Sequence, residues 1–370
     1  MLNLLSVPNV MIKFRGKISF TIPLVISIVI WSHSCSSNSN IKHSIVFDDH
    51  NDSLLYEAPD SIIYLDSLIV GLGDRTLLSL KERNGVFYLL DAQSKRLFAI
   101  SDDGKTEYVI DRIGRGPGEY LSIIDFEVTE EGVVYMLTGE GDEVMAFDNG
   151  SFICKYHLSF RASSLSLLQD GDIAFFKQRY SDEKLGDNVL VITDPSFKVK
   201  NCFLEESSTL LSGMGEHLVH GVDNTVLCYQ QYVNKLYWFD AKGIVSEMNV
   251  DFGEKVFPES LFAAEDFEGM FSIIAESSAY YINSCFENEH YLLLNITLFN
   301  RMSENNKYTL LYEKGSWNTF LSSVNSENPK YEAEGLPLMI TDDNRGVFLY
   351  EAHGTDPASK YAIALLKIQS

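Results

Sequence analysis

The feature that most constrains how this chain can fold is a short motif that recurs six times. Each copy has a polar or charged residue, about four mainly apolar residues, and often an acid or hydroxyl leading into a turn. The copies read Arg96-Leu97-Phe98-Ala99-Ile100-Ser101, Glu143-Val144-Met145-Ala146-Phe147-Asp148 and Asn188-Val189-Leu190-Val191-Ile192-Thr193. They continue as Lys235-Leu236-Tyr237-Trp238-Phe239-Asp240, Lys307-Tyr308-Thr309-Leu310-Leu311-Tyr312 and Lys360-Tyr361-Ala362-Ile363-Ala364-Leu365. Gly104, Gly150, Gly243 and Gly315 follow closely in four of them, as tight hairpins with positive φ require. Successive copies lie 47, 45, 47, 72 and 53 residues apart, measured at the second motif position.

A second strand precedes each copy: Val86 to Leu90, Val133 to Leu137, Asp172 to Phe176, Thr225 to Tyr229, Tyr291 to Ile296 and Val347 to Tyr350. Several are apolar on both faces, so both faces of each sheet must be covered. The linkers are too short and turn-rich to supply crossover helices. Stacking each small antiparallel sheet on its neighbours covers the faces instead, and a four-stranded repeat of about 45 residues has the size of a propeller blade. The expected fold is therefore all-β, a six-bladed β-propeller of four-stranded antiparallel blades. The last copy ends too near Ser370 for a fourth strand. Ser61-Ile62-Ile63-Tyr64-Leu65 has the composition to pair with the final blade and close the ring, removing exposed edges. The long fourth interval falls where Pro258 to Asn283 breaks the strand pattern, and Phe267, Met270, Phe271 and Ile274 there predict one inserted amphipathic helix near 259–277.

The N-terminus reads as an address. Lys13, Arg15 and Lys17 precede an uncharged run of 14 residues, Ile18 to Trp31, shorter than the roughly 20 that span a bilayer. That is the pattern of an export signal, residues 1–34, with Met1 or Met11 as its start. Ser34-Cys35 and the string Ser36-Ser37-Asn38-Ser39-Asn40 resemble a bacterial lipobox and tether. The resemblance implies lipid on Cys35, a tether over 35–60, the propeller over 61–370, and an envelope location at the outer membrane with the exposed face open. Removing the signal takes away three basic residues and no acid, and moves the net charge from −23 to −26. Such a surface is unsuited to neutralising phosphate, so nucleic acid is excluded as a partner. Cys154, Cys202, Cys228 and Cys285 have no C-x-x-C spacing, which argues against zinc and for buried free thiols.

The most distinctive string is Asp111-Arg112-Ile113-Gly114-Arg115-Gly116-Pro117-Gly118-Glu119-Tyr120, in the connection from blade one to blade two. It lacks the Gly-Lys-Ser/Thr of a P-loop. Its bland reading is a blade-to-blade turn; its functional reading places Arg112 or Arg115 near the central opening, where a guanidinium could grip an anion. With Ile124-Asp125-Phe126 and Val133-Val134-Tyr135, the string resembles the six-bladed β-propeller lipoproteins of Bacteroides-type bacteria, related in fold to NHL and TolB-like propellers. That resemblance implies an exported propeller used for binding or scaffolding, with no accepted catalytic residues.

Arg75, Glu119 and Asp125, near the expected inner strands, complete the ligand-binding candidates alongside Arg112 and Arg115. His217 and His220 would point to opposite faces of a strand and make a poor metal pair. Asp48-Asp49-His50-Asn51-Asp52 reads as a solvated acidic linker without the Gly and terminal Glu of a calcium loop. No catalytic motif, cofactor motif or metal set is present in the linear sequence. The expected function is an envelope-anchored binding module for an envelope protein or glycan. The alternative is a carbohydrate- or lactone-directed enzyme with its site in the axial funnel, built from separate blades.

Overall fold

The computed structural model describes residues 43–49, 59–74, 77–168, 170–178, 185–205, 218–230, 232–264, 266–300, 306–323, 336–352 and 359–368. The expected signal, Cys35, Arg75 and His217 lie outside them. Two N-terminal strands come first, β1 (His43–Val46) and β2 (Ser61–Tyr64). Blade one is β3 (Leu78–Arg83), β4 (Val86–Asp91), β5 (Arg96–Ile100) and β6 (Thr106–Ile110), and blade two is β7 (Ile123–Val128), β8 (Val134–Thr138), β9 (Glu143–Asp148) and β10 (Ser151–His157). Blade three is β11 (Ala162–Leu167), β12 (Ile173–Lys177), β13 (Asn188–Thr193) and β14 (Val199–Glu205). Blade four is β15 (Leu218–His220), β16 (Val226–Gln230), β17 (Val233–Asp240) and β18 (Gly243–Asp251). After the helices α1 (Glu259–Phe262) and α2 (Phe267–Glu276), blade five is β19 (Ser278–Glu287), β20 (Tyr291–Asn300), β21 (Asn306–Glu313) and β22 (Thr319–Ser323). Blade six is β23 (Met339–Ile340), β24 (Arg345–Glu351) and β25 (Tyr361–Lys367), completed by β2.

The six-fold motif is thus the third strand of every blade, β5, β9, β13, β17, β21 and β25. The ring closes as expected: Ser61 to Tyr64 pair antiparallel with Leu365 to Ala362. First strands of consecutive blades lie against one another around the axis, from β3 through β7, β11, β15 and β19 to β23. The two-faced apolar strands divide their side chains between two seams. On β4, Phe87 and Leu89 join the layer between blades six and one, whereas Tyr88 and Leu90 join the layer between blades one and two. Each such side chain contributes about 1.5–3 kcal/mol by leaving water, and a period-2 strand supplies both layers at once.

Three expectations are corrected. The single inserted helix is two, because Asp266 caps a fresh helix by accepting from the Gly269 N–H at 2.7 Å, satisfying an amide that the first turn leaves unpaired. Met270 and Ile274 of α2 are buried as the spacing implied, but Phe271 is 52% exposed. The tether is not loose throughout. Residues 43–46 add a fifth, parallel strand to the outer edge of blade four, pairing with Met248 to Asp251. Ile45 and Phe47 alternate inward, and the Phe47 ring meets Phe252, Tyr280 and Tyr308. Asp49, read as solvated, accepts from Lys255 Nζ at 2.8 Å and Tyr280 Oη at 2.5 Å. Of the cysteines, Cys228 and Cys285 are buried free thiols, while Cys154 and Cys202 are half-buried. Cys154 sits on the outer strand β10 beside a register shift, so its outer side keeps contact with water. No helix among the described residues is long and apolar enough to cross a membrane.

Candidate functional site

The ends of the first strands enclose an axial cavity of ≈120 Å³ bordered by Lys81, Arg83, Glu127, His220, Glu287 and Asp342. Asp125 lies beside it on β7, 1% exposed. One carboxylate oxygen accepts from its neighbour's Phe126 N–H at 2.8 Å, and the other accepts from Ser164 Oγ at 2.9 Å and Leu165 N–H at 2.8 Å. Ser164 Oγ in turn accepts from Leu218 N–H at 3.2 Å, so one buried acid links blades two, three and four.

Glu127, two residues on and also 1% exposed, accepts from Lys81 Nζ at 3.1 Å and from Val128 N–H at 3.0 Å, with Arg83 at 3.7 Å. Burial alone would raise its pKa, but Lys81, Arg83 and His220 outweigh that and hold it below the usual carboxylate range. The cations are engaged as well. Lys81 donates to the Phe126 carbonyl at 2.6 Å and lies over the Phe126 ring, and Arg83 donates to the Val128 and Glu82 carbonyls. A carboxylate kept ionised between two cations is a poor general acid at neutral pH. The axis is built as a set of ties between blades.

The glycine-rich string is a clasp. Gly114 N–H donates to the Tyr120 carbonyl and Tyr120 N–H to the Arg112 carbonyl, both at 3.0 Å. The Glu119 carboxylate folds back to accept from Gly116 N–H at 2.6 Å, and a Cβ at Gly114 would overlap it. Tyr120, 2% exposed, reaches the Lys95 and Ile110 carbonyls with its hydroxyl at 3.0 Å, and burial pushes that phenol up to about 12. Arg112 and Arg115 are exposed on this loop, and neither lines the axial cavity. Of the five candidates, then, Asp125 lies at the axis, Glu119 is used within its own loop, Arg112 and Arg115 are on the surface, and Arg75 lies outside the described residues. His220 Nδ1 sits 3.3 Å from the Leu167 carbonyl. Among the described residues no group of three or more His, Cys, Asp or Glu side chains is placed to hold a metal ion.

The larger opening was not legible in the sequence. A cleft of ≈520 Å³ lies at the seam of blades four and five, lined by turns and strands of both. Glu287, at the end of β19, borders both the cleft and the axial cavity. It accepts from Trp238 Nε1 at 2.9 and 3.0 Å and pairs with Lys314 at 2.6 Å. Glu247 pairs with Lys235 at 2.8 Å. The hairpin between β15 and β16 turns on Asp223 and Asn224, with φ of 56° and 58°, the two positive values of a type I′ turn. Asp240, which accepts from Lys242 and Gly243 N–H, also lines the cleft.

At the rim stands Trp317, 56% exposed, its ring 6.4 Å from Tyr312 at 89°. Its φ is +66°, a conformation costing an L-residue roughly 1–2 kcal/mol. Phe197 and Leu204 share that conformation, but both pack into interblade layers. Trp317 instead keeps most of its indole in water. Trp238 and Trp317 are two of the chain's three tryptophans, the third being Trp31 of the expected signal.

A sequence profile of the DUF5128 family, a 6-bladed β-propeller, matches residues 37–347. No curated protein sequence matches. Among solved structures, a Bacteroides fragilis protein inferred to be exported superposes with a TM-score of 0.70 at 17% identity, covering 88% of this chain and 99% of its own. A member of the DUF4221 family from Bacteroides vulgatus gives a TM-score of 0.55 at 10% identity, covering 85% and 99%. At these identities the two structures speak to the fold.

Proposed function

The chain belongs to the DUF5128 family of six-bladed β-propellers, and from that premise we propose that it is a binding module of the cell envelope, held at the outer membrane by lipid on Cys35. The observation that carries the reading is the state of the axis. Of the acids at the axis, Asp125 and Glu127 are engaged by Ser164, Leu165, Lys81 and Arg83, and Glu287 by Trp238 and Lys314. A ring whose buried central acids tie its blades offers its surface clefts to a partner, an envelope protein or a glycan. The lipobox-like Ser34-Cys35 and the acidic mature surface support an anchored, water-exposed body, since acyl chains supply about 0.8 kcal/mol per buried methylene without any basic patch. The inferred export of the Bacteroides fragilis neighbour agrees with that location.

Two experiments test the reading. Cells fed labelled palmitate are expected to label the wild-type chain and not Cys35→Ser, with the variant shifting to the soluble fraction; an unlabelled wild type overturns the anchor. Purified protein incubated with a panel of oligosaccharides and lactones is expected to form no product. Turnover that disappears in Glu127→Gln overturns the binding-module reading in favour of an axial enzyme.

A further inference from the structure

We propose that the cleft between blades four and five is a binding site for an organic cation, a ligand presenting an ammonium or guanidinium group. This rests on the binding-module reading and names the ligand chemistry. The cleft has room for a whole small ligand or a long side chain, since ≈520 Å³ falls within the range of ligand pockets. Its charges do not cancel. Four carboxylates line it, those of Asp223, Asp240, Glu247 and Glu287. Lys314 neutralises Glu287 and Lys235 neutralises Glu247. Asp223 and Asp240 leave two negative charges for a ligand to meet.

The aromatic side chains give the same sign. Trp317 and Tyr312 stand at 89° to each other and Trp238 forms part of the wall. Ring faces carry negative quadrupoles, and aromatic rings sharing a cleft with uncompensated carboxylates favour a cation over a neutral or anionic group. Trp317 is held there in a left-handed conformation with 56% of its surface exposed. Strain of that kind, at a position where little burial offsets it, marks a side chain whose placement serves a site.

The hairpins differ in how closely they approach the preceding blade. At the seam of blades six and one, a Cβ on Gly104 would overlap the Tyr64 carbonyl, and at the seam of blades one and two, a Cβ on Gly150 would come within 3.0 Å of the Tyr108 ring. Those hairpins are pressed onto the preceding blade's outer strand. The corresponding hairpins of blades four and five have open space around Gly243 and Gly315. The open hairpin at Gly315 leaves room at the rim where the surplus acids and the rings lie.

The test is a fluorescence titration of the full chain with choline as probe. Two of the chain's three tryptophans, Trp238 and Trp317, line this cleft, so a ligand-dependent change in emission reports on it. The expected result is a saturable change in emission, weakened by salt. The uncharged isostere 3,3-dimethylbutanol should bind at least about tenfold more weakly, the factor that one cation–π contact of 1.4 kcal/mol supplies. Trp317→Asn, which suits a positive φ, should lose about tenfold in affinity at unchanged circular dichroism, and Asp223→Asn should lose severalfold and flatten the salt dependence. No saturable response, equal binding of the isostere, or unchanged affinity in Trp317→Asn overturns the proposal. Methyl glucoside binding in place of choline overturns the ligand class while leaving the binding-module reading standing; turnover of a substrate at the axis would instead sink that reading.

Discussion

The seams on either side of blade one and the seam between blades four and five are built from the same parts and end differently. Around blade one, the hairpins at Gly104 and Gly150 touch the preceding blade so closely that a methyl group would not fit. Nearer the axis, Asp125 and Glu127 tie blade two to blades one, three and four. Between blades four and five, the hairpin at Gly315 stands clear, and the buried acid Glu287 is satisfied from within the cleft wall by Trp238 and Lys314. The apolar layer of this seam is nonetheless large, and β1 adds Ile45 and Phe47 to it. A propeller therefore does not need every seam closed along its full depth. Packing at one level frees the rim at another, and that is where a ring with an occupied axis can acquire a site.

Five substitutions break or sharpen this contrast. The largest effect is expected at Asp125. Removing a buried charge that accepts from Phe126, Ser164 and Leu165 leaves those donors unpaired, so Asp125→Ala should lose about 3–5 kcal/mol in equilibrium denaturation. Glu127→Gln should cost about 2–3 kcal/mol at neutral pH, because Lys81 and Arg83 lose their carboxylate while the Val128 amide keeps an acceptor. Since the folded carboxyl lies below its ordinary value of 4.5, its contribution is complete above that pH and fades as the pH falls. The gap between wild type and variant should therefore shrink in acid. A gap that widened there would contradict the ion-pair account.

The glycine pair tests the seams directly. Gly104→Ala combines positive φ with a clash and should cost about 2 kcal/mol or more, whereas Gly315→Ala should change stability by less than about 0.5 kcal/mol. Equal costs would remove the distinction between a pressed and an open hairpin. Trp317→Gly is expected to raise stability by up to about 1 kcal/mol through relief of the left-handed strain, read as a higher denaturation midpoint. A clear loss of stability would assign the indole a packing role instead.

The sequence carried the ring more clearly than the cleft. Third strands such as Glu143 to Asp148 were legible because their alternate residues feed two apolar layers, which leaves a dense motif at a regular interval. The closing strand followed from counting, since a blade ending near Ser370 needed Ser61 to Tyr64. The break between α1 and α2 was missed because the helical spacing masked the Asp266 cap. The docking of β1 was missed because Ile45-x-Phe47 is too short an alternation to stand out beside an acidic linker. Asp125, expected near an inner strand as a ligand-binding candidate, lies on β7 with its carboxylate turned to Ser164 and Leu165 of the next blade. The cleft left no linear trace: Asp223, Trp238, Lys314 and Trp317 come from separate turns and strands, and Gly315-Ser316-Trp317-Asn318 reads as an ordinary polar hairpin. The one available clue was that both tryptophans outside the expected export signal fall in blades four and five.

The central claim is that the axis holds the ring together while the cleft between blades four and five receives the ligand. Amide hydrogen exchange of the full chain with and without saturating choline tests it most directly. The account predicts slower exchange over Asp223 to Thr225 and Lys314 to Asn318, with Ser79 to Arg83 and Asp125 to Val128 unchanged. Protection confined to the axial strands, with none at the seam, would contradict it.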